Sequence, residues 1–186
     1  MHTSSSQTIG PYLHIGMTWL VDENMVPDAG VTGERVTLTG RIVDADGQPV
    51  NDAMVEIWQA NAHGKYRHPE DTRDLPVEQG FTGFGRVYTD ADGRFRVRTI
   101  KPGRVPGPDG VPQAPHLNVT ILMRGLLKHL ITRVYFPDDA NDDDAVLARV
   151  PAERRATLVA AGGREPGVLE WNVVLQGAGE TVFFDY

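Results

Sequence analysis

Two polar side chains on one predicted strand have the spacing of a metal-chelating pair. His116 and Asn118 lie two positions apart in the apolar run 113–136, and the period of a strand puts both on the same face. A His-x-His pair at that spacing would chelate a transition metal, but a neutral amide oxygen is a much poorer donor than an imidazole. The pattern therefore predicts half of a metal site.

The same run is predicted to form a β-hairpin with Arg124 at its turn. Apolar residues alternate with polar ones along the first strand, and Arg124-Gly125 interrupts the run where a reversal is needed. The alternating apolar positions are Leu117, Val119, Ile121 and Met123. An arginine on the strand parity of His116 and Asn118 could bind a carboxylate through its planar fork. The alternative is an exposed arginine at a hairpin tip.

Strand and turn patterns continue along the rest of the chain. Asp46-Gly47 predicts a turn that joins two strands into a hairpin, and the turn at 90–93 predicts a second one. Residues 102–115 contain five prolines and three glycines and are predicted to be loop throughout. Residues 151–162 have the best helix pattern, with proline first and glycine last. The other predicted strands are 36–43, 53–59, 85–89, 94–100, 168–176 and 181–184.

Many short strands with turns at regular intervals indicate the fold class. The pattern predicts an all-β sandwich with long loops and one or two short helices, rather than alternating βαβ units. A chain of 186 residues can bury one substantial core, whereas two cores would be cramped. We therefore expect residues 1–186 to form a single domain.

Composition excludes several classes of function. A net charge of −7 argues against nucleic-acid binding, and the absence of cysteine excludes thiolate catalysis, disulfides and iron–sulfur clusters. The sequence has neither a membrane-spanning apolar run nor a signal-peptide pattern, so a cytoplasmic location is expected. The acidic stretch 137–144 lacks the glycine and the distal glutamate of a calcium loop. It is predicted to be a solvated loop that leads into a helix.

The N-terminal stretch has the composition of an ordered but irregular peptide. Gly10, Pro11 and Tyr12 lie close together between Thr8 and Gly16, and backbone at glycine can approach a ligand or a partner closely. Such a peptide could equally be a strap over the protein's own core. Composition leaves both possibilities open.

In this order along the chain, the motifs resemble those of the intradiol ring-cleaving dioxygenases. The similarity extends over residues 8–185. The motifs are Thr8-x-Gly10-Pro11-Tyr12, Glu56-Ile57-Trp58-Gln59-Ala60-Asn61, Gly64-Lys65-Tyr66, Thr99-Ile100-Lys101-Pro102-Gly103, Ala114-Pro115-His116, Thr132-Arg133-x-Tyr135-Phe136 and Gly179-Glu180-Thr181-Val182-Phe183-Phe184-Asp185. The resemblance implies a prealbumin/transthyretin-like β-sandwich and an enzyme of alternating alpha and beta chains. It also implies that the beta chain binds a non-haem ferric ion through two tyrosines and two histidines.

The resemblance assigns the four iron-ligand positions to Tyr66, Val105, His116 and Asn118 of this chain. Val105 has no donor atom, and Asn118 has only an amide. Because a hard ferric ion depends on anionic phenolates, losing one phenolate and one imidazole should abolish tight binding. The resemblance thus implies an alpha chain with no metal of its own, in which His116 is a hydrogen-bonded remnant and Fe(3+) is bound by the partner beta chain.

The resemblance further implies that this chain lines the substrate pocket of its partner. The implied wall residues are Thr8, Gly10, Pro11 and Tyr12. Arg124 would face the carboxylate of a dihydroxybenzoate, and residues 1–16 would form an arm that contacts the partner chain. The implied reaction inserts O₂ into 3,4-dihydroxybenzoate between its hydroxylated carbons and opens the ring to a muconate.

Two other functions are compatible with the sequence. Strands within residues 36–58 alone would suit a non-catalytic transthyretin-like binding module that is stable as a monomer. A self-sufficient metalloenzyme could instead use Tyr66, His68 and His116 in another geometry. Metal analysis of the isolated chain separates this last hypothesis from the other two.

Overall fold

Two β-sheets that face each other across an apolar core form the body of the chain. The computed structural model describes residues 8–26, 30–107 and 110–185. The elements are α1 (Pro11–Gly16), a 3₁₀ helix (Thr18–Leu20), β1 (Arg35–Val43), β2 (Met54–Trp58), β3 (Phe84–Tyr88), β4 (Arg94–Ile100), β5 (Val105–Pro106), β6 (Pro112–Gln113), β7 (His116–Leu122), β8 (Leu130–Tyr135), 3₁₀ helices Leu147–Arg149 and Ala152–Leu158, β9 (Ala161–Gly162), β10 (Val168–Glu170) and β11 (Val173–Val174).

The first sheet is built around β1. This strand pairs antiparallel with β4 along its length, from Arg35 opposite Ile100 to Arg41 opposite Arg94. Its other edge pairs in parallel with β10 and then with β11, and β9 extends the sheet beyond β10. Side chains of β1 alternate between buried and partly buried positions, as expected for a strand with one face on a core.

The second sheet has the order β3-β2-β7-β8, and all of its pairs are antiparallel. The central hairpin is confirmed, because β7 pairs with β8 from His116 opposite Tyr135 onward. Trp58, Asn118 and Arg133 are cross-strand neighbours on β2, β7 and β8. They form one row across the face of this sheet that points away from the core.

The core lies between the two sheets and confirms the predicted sandwich. The first sheet contributes Val36, Leu38, Ile42, Phe95 and Val97, and the second contributes Val55, Ile57, Leu117, Val119 and Ile121. All ten side chains are buried. The apolar positions of β7 that the sequence pattern assigned to the core therefore face it, which leaves the opposite side of the sheet for polar groups.

Two of the three predicted hairpins are wrong. β1 and β2 lie in different sheets, and so do β3 and β4. The turn residues do reverse the chain. In the first turn the N–H of Gly47 donates a hydrogen bond to the carbonyl of Asp44, and in the second the N–H of Gly93 donates to the carbonyl of Asp90. A turn sequence specifies the reversal but not the pairing, and in this sandwich these two connections cross from one sheet to the other.

The predicted helix at 151–162 is a 3₁₀ helix that ends at Leu158, not an α-helix. Leu158 is fully buried, and Ala160 N donates a hydrogen bond to Tyr135 O at 3.0 Å. The residues after Leu158 bond to β8 instead of continuing the helix, so tertiary contacts override the local pattern.

Two smaller predictions also need correction. The loop 102–115 contains the short strands β5 and β6, which pair through Val105 and Gln113. The closing strand at 181–184 is reduced to a single bridge, in which Phe184 N donates to Ile131 O at 2.8 Å. Among the described residues, no helix is long and apolar enough to cross a membrane.

Candidate functional site

The N-terminal segment and the tip of the β7–β8 hairpin lie together at one end of the second sheet. The hydroxyl of Thr8 donates a hydrogen bond to the carbonyl of Met123 at 3.2 Å. The hydroxyl of Tyr88, on β3, lies 3.4 Å from the carbonyl of Leu13 in α1. The structure therefore brings residues 8–16 of the predicted arm to the loop that contains Arg124, whereas residues 1–7 lie outside the described residues.

Gly10 and Pro11 form the start of α1 within this arm. Gly10 is extended at the N-cap, and Pro11 occupies the first turn, where a missing N–H costs no hydrogen bond. Tyr12 belongs to the same helix, but its side chain lies outside the described part of the structure. Four of the five predicted substrate-wall residues thus have described positions at one end of the sheet.

Arg124 lies in the loop after β7 rather than on the strand itself. β7 ends at Leu122, so strand parity does not determine where the arginine points. Its side chain is 69% exposed, and its Nε donates to the carboxylate of Asp52. This contact raises the pKa of Arg124 above its ordinary value. The two terminal nitrogens of the guanidinium have no hydrogen-bond partner among the described residues and can donate to a carboxylate.

The four residual ligand positions lie at the opposite end of the same sheet. The amide nitrogen of Asn118 donates to the hydroxyl of Tyr66 at 3.3 Å and also contacts the carbonyl of Trp58. Burial raises the pKa of the Tyr66 phenol, so it stays protonated at neutral pH. Val105 is buried and offers no donor.

His116 occupies an enclosed position at the start of β7. Its Nδ1 lies 2.8 Å from the carbonyl of Ala114, and its ring lies 5.8 Å from that of Tyr135. Burial, helped by the positive charge of Arg133, lowers the pKa of His116 to about 4. His116 is therefore neutral at pH 7, with one ring nitrogen held by the backbone.

These residues do not fit a ferric ion. The four positions supply one neutral phenol, one buried imidazole, one amide and one aliphatic side chain, whereas tight ferric binding needs anionic oxygen donors. The ring contacts of Tyr66, His68 and His116 differ. Tyr66 and His68 both contact the ring of Trp58, while His116 packs against Tyr135. Over residues 8–26, 30–107 and 110–185, no three His, Cys, Asp or Glu side chains gather at a possible metal position.

A partly buried ion cluster that sequence reasoning missed holds the loop that carries Tyr66. The carboxylate of Asp71 is 8% exposed and pairs with Lys65 at 3.3 Å and with Arg73 at 2.6 Å. It also accepts a hydrogen bond from the backbone N–H of Tyr66 at 2.9 Å. The preceding bend needs Gly64, because its φ is +74° and a Cβ there would lie 2.0 Å from the carbonyl of Arg104.

The Asp71 cluster predicts a pH-dependent stability. The hydrogen bonds and charge of Arg73 hold the pKa of Asp71 well below its ordinary value, so its contribution is complete above about pH 4 and is lost as pH falls further. Asp71→Asn should lower the free energy of unfolding by about 1–3 kcal/mol at pH 7. Urea titrations should show that this difference shrinks towards about pH 2, because the carboxylate of the unfolded chain is protonated there while that of the folded chain still resists protonation.

The matched control for this experiment is Asp74→Asn. Asp74 is exposed and has no ion pair in the described part of the chain. Its replacement should change stability by less than about 0.5 kcal/mol at either pH. An effect of Asp71→Asn that is equally large at both pH values would mean that the carboxylate acts through shape rather than charge.

Asp144 is a second residue that sequence reasoning missed, because the acidic stretch was expected to be solvated. The expectation is wrong for this residue, which is fully buried, whereas Asp142 and Asp143 are exposed. Its carboxylate accepts hydrogen bonds from the backbone N–H groups of Ala114, Val146 and Leu147 and from the hydroxyl of Tyr135. An aspartate shortly before a 3₁₀ helix is a capping pattern, and this was the available signal.

Comparison with known proteins assigns the chain to a family. A family model described as "Dioxygenase" matches residues 10–177. The structural relatives include the dioxygenase domain of a carbohydrate-binding fusion protein from Streptomyces sp. SirexAA-E, with a TM-score of 0.63, 25% identity and coverage of 87% of this chain and 89% of that one. The chain belongs to the intradiol dioxygenase family.

Two curated relatives are more specific than the family. The chain is 45% identical to the protocatechuate 3,4-dioxygenase alpha chain of Burkholderia cepacia, over 97% of this chain and 95% of that protein. It is 39% identical to the beta chain of that enzyme from the same organism, over 72% of this chain and 56% of the relative. The similarity to the alpha chain thus extends over nearly the whole length of both proteins.

Proposed function

We propose that this chain is the alpha subunit of an intradiol dioxygenase that cleaves 3,4-dihydroxybenzoate, also called protocatechuate. The observation that carries the proposal is the 45% identity to an alpha chain over 97% of the sequence. In the reaction, the bond between the two hydroxylated carbons breaks and both atoms of O₂ enter the product. The product is 3-carboxy-cis,cis-muconate, in which each of those carbons has become a carboxylate.

The iron of the complex is bound by a beta-type partner chain. The family is iron-dependent, and the donor set at Tyr66, Val105, His116 and Asn118 does not fit a ferric ion. Relatives named as alpha and beta chains support a hetero-oligomer of both types. When bound, the ferric ion would make the catecholate ring susceptible to attack by O₂. This chain would contribute substrate binding, orientation and exclusion of water. A cytoplasmic location of the complex stays a prediction.

The substrate-facing surface of this chain is the region formed by the arm and the hairpin loop. Thr8 hydrogen-bonds to the carbonyl of Met123, the residue before Arg124, and Gly10 and Pro11 follow Thr8 in the arm. Arg124 would face the carboxylate of a substrate in the neighbouring subunit. Tyr12 completes the predicted wall. The geometry supports this role because exposed backbone next to a cation suits a small anionic ligand. The arm, residues 1–16, would make the contact with the partner chain.

Iron analysis tests the division of labour between the chains. The purified chain without its partner should contain no stoichiometric iron and should lack the visible absorption of a tyrosinate–iron complex, because two of four donors are absent. Co-expression with a beta chain should give a coloured complex with one iron per pair of chains and with ring-cleaving activity. Elemental analysis and visible spectroscopy measure both results. A red isolated chain loaded with iron would contradict the subunit assignment and favour the metalloenzyme hypothesis.

A further inference from the structure

A cavity beside the residual ligand positions takes no part in the proposed function. It is widely open to solvent and has a volume of about 620 Å³. Its lining consists of Trp58, Tyr66, His68, Glu70, Asp71, Thr72, Arg73, Val105 and Pro106. The cavity lies at the end of the second sheet that is opposite to Arg124, so it is separate from the substrate-facing surface.

Aromatic rings form one wall of this cavity. The rings of Trp58 and Tyr66 are stacked with centroids 6.0 Å apart and an angle of 22° between their planes. His68 meets the Trp58 ring by its edge at 5.9 Å. Trp58 is 37% exposed, and Val105 and Pro106 add apolar surface. A planar ring is the ligand shape that such a wall accommodates best.

Tyr66 also presents an unused hydrogen-bond donor. Its hydroxyl oxygen accepts a hydrogen bond from Asn118, but the described part of the chain holds no acceptor for the hydroxyl proton. A phenol hydroxyl that accepts one hydrogen bond can still donate its own proton to an oxygen of a ligand. The aromatic wall and the donor belong to the same side chain, so a ring stacked here would have its polar substituent within reach.

The charge around the cavity favours an anion, although the whole chain is negative. Asp71 pairs with both Lys65 and Arg73, so this group carries a net positive charge. Arg133 is the cross-strand neighbour of Asn118, and its buried Nε has no hydrogen-bond partner within the described ranges. Glu70, at the exposed rim, is the opposing charge. The balance is positive by one unit, which suits a monoanion.

We infer that this cavity binds a planar aromatic carboxylate and holds it without chemical change. The ring would stack in the Trp58–Tyr66 wall, and an oxygen substituent would accept the Tyr66 proton. Val105 and Asn118 provide no anionic donor for a metal, so a bound ligand would not be activated. The complex would therefore have a second aromatic-acid site on this chain in addition to the catalytic site of the proposed function.

Counting bound ligand tests the inference. The probe is 4-hydroxybenzoate, which has one hydroxyl group and cannot be cleaved as a catechol. Equilibrium dialysis of the alpha–beta complex should give two equivalents per copy of this chain. Val105→Trp fills the cavity and should remove one of them. Tyr66→Phe removes the hydroxyl donor and should weaken one class of sites about three- to tenfold, as expected for one hydrogen bond.

The matched control is Val77→Trp, since Val77 is 56% exposed and lies outside the cavity. This variant should retain both equivalents. Equal stoichiometry in the wild type and in Val105→Trp, with unchanged affinity in Tyr66→Phe, would overturn the inference. If Val105→Trp fails to assemble, Tyr66→Phe decides alone. If the proposed function is wrong and no catalytic site is present, the wild type should bind one equivalent of 4-hydroxybenzoate and Val105→Trp should bind none. The difference of one equivalent between the two proteins still tests the cavity.

Discussion

Replacing Arg124 with alanine should lower kcat/KM for 3,4-dihydroxybenzoate by about 30- to 1,000-fold in the assembled complex, which corresponds to about 2–4 kcal/mol. Asp52 binds only the Nε side of the guanidinium, so its terminal nitrogens can pair with the substrate carboxylate. In the lone chain this group is a surface ion pair of small energetic value. The large effect is therefore expected on substrate recognition and not on folding.

Three comparisons distinguish recognition from structure. Catechol lacks the carboxylate, so its turnover should change little in Arg124→Ala. Lysine at this position should restore part of the activity, since it keeps the charge but not the planar fork. Lys128→Ala removes another exposed cation of the same loop, paired with Asp185, and should leave kinetics unchanged. Equal losses on both substrates, or failure to assemble, would show that Arg124 is structural and that the carboxylate is bound elsewhere.

Asp144→Ala should lower the free energy of unfolding by about 3–5 kcal/mol, the largest stability effect that we expect from one substitution. The change would leave three backbone N–H groups and the Tyr135 hydroxyl without their acceptor in a buried position. The same carboxylate links the strand entry at Ala114 to the helix at Leu147. Losing it should therefore loosen a smaller apolar cluster in which both residues pack, formed by Ala114, Tyr135, Leu147, Val150, Leu158 and Val182.

Urea unfolding followed by circular dichroism measures this effect, with Asp143→Ala as the matched control. Asp143 is the exposed neighbour, and its replacement should stay within about 0.5 kcal/mol of the wild type. Asp144→Asn should give an intermediate loss, because an amide keeps one of the two acceptor oxygens. Similar stabilities for Asp144→Ala and Asp143→Ala would show that the buried hydrogen bonds are replaced by solvent or by local rearrangement.

The local sequence pattern was sufficient to predict where the main strands lie and which of their side chains share a face. His116 and Asn118 both project from the outer face of β7, as the alternation predicts, because side-chain direction along a strand is a property of the backbone itself. The missing donors at Val105 and Asn118 followed from the family resemblance, which assigns ligand positions to these two residues, together with their identities.

Strand pairing depended on the tertiary structure. Asp46-Gly47 has the residues of a hairpin turn, yet β1 pairs with β4 and β2 pairs with β3 and β7. Each strand has one apolar face that must meet the opposite sheet, and many pairings satisfy this local requirement equally well. The pairing is selected by the sum of contacts between segments that are far apart in sequence, and no short pattern contains that sum.

The site itself shows the same division. The sequence by itself determined which polar groups this chain possesses, including Arg124, the acidic stretch and the incomplete ligand set. Only the tertiary structure decided that Arg124 meets Asp52 from 72 positions away, that Thr8 reaches Met123, and that Asp144 is buried while Asp143 is not. The physical reason is that burial and charge pairing depend on which distant segments come together, whereas donor chemistry and strand alternation are already present in each residue and its neighbours.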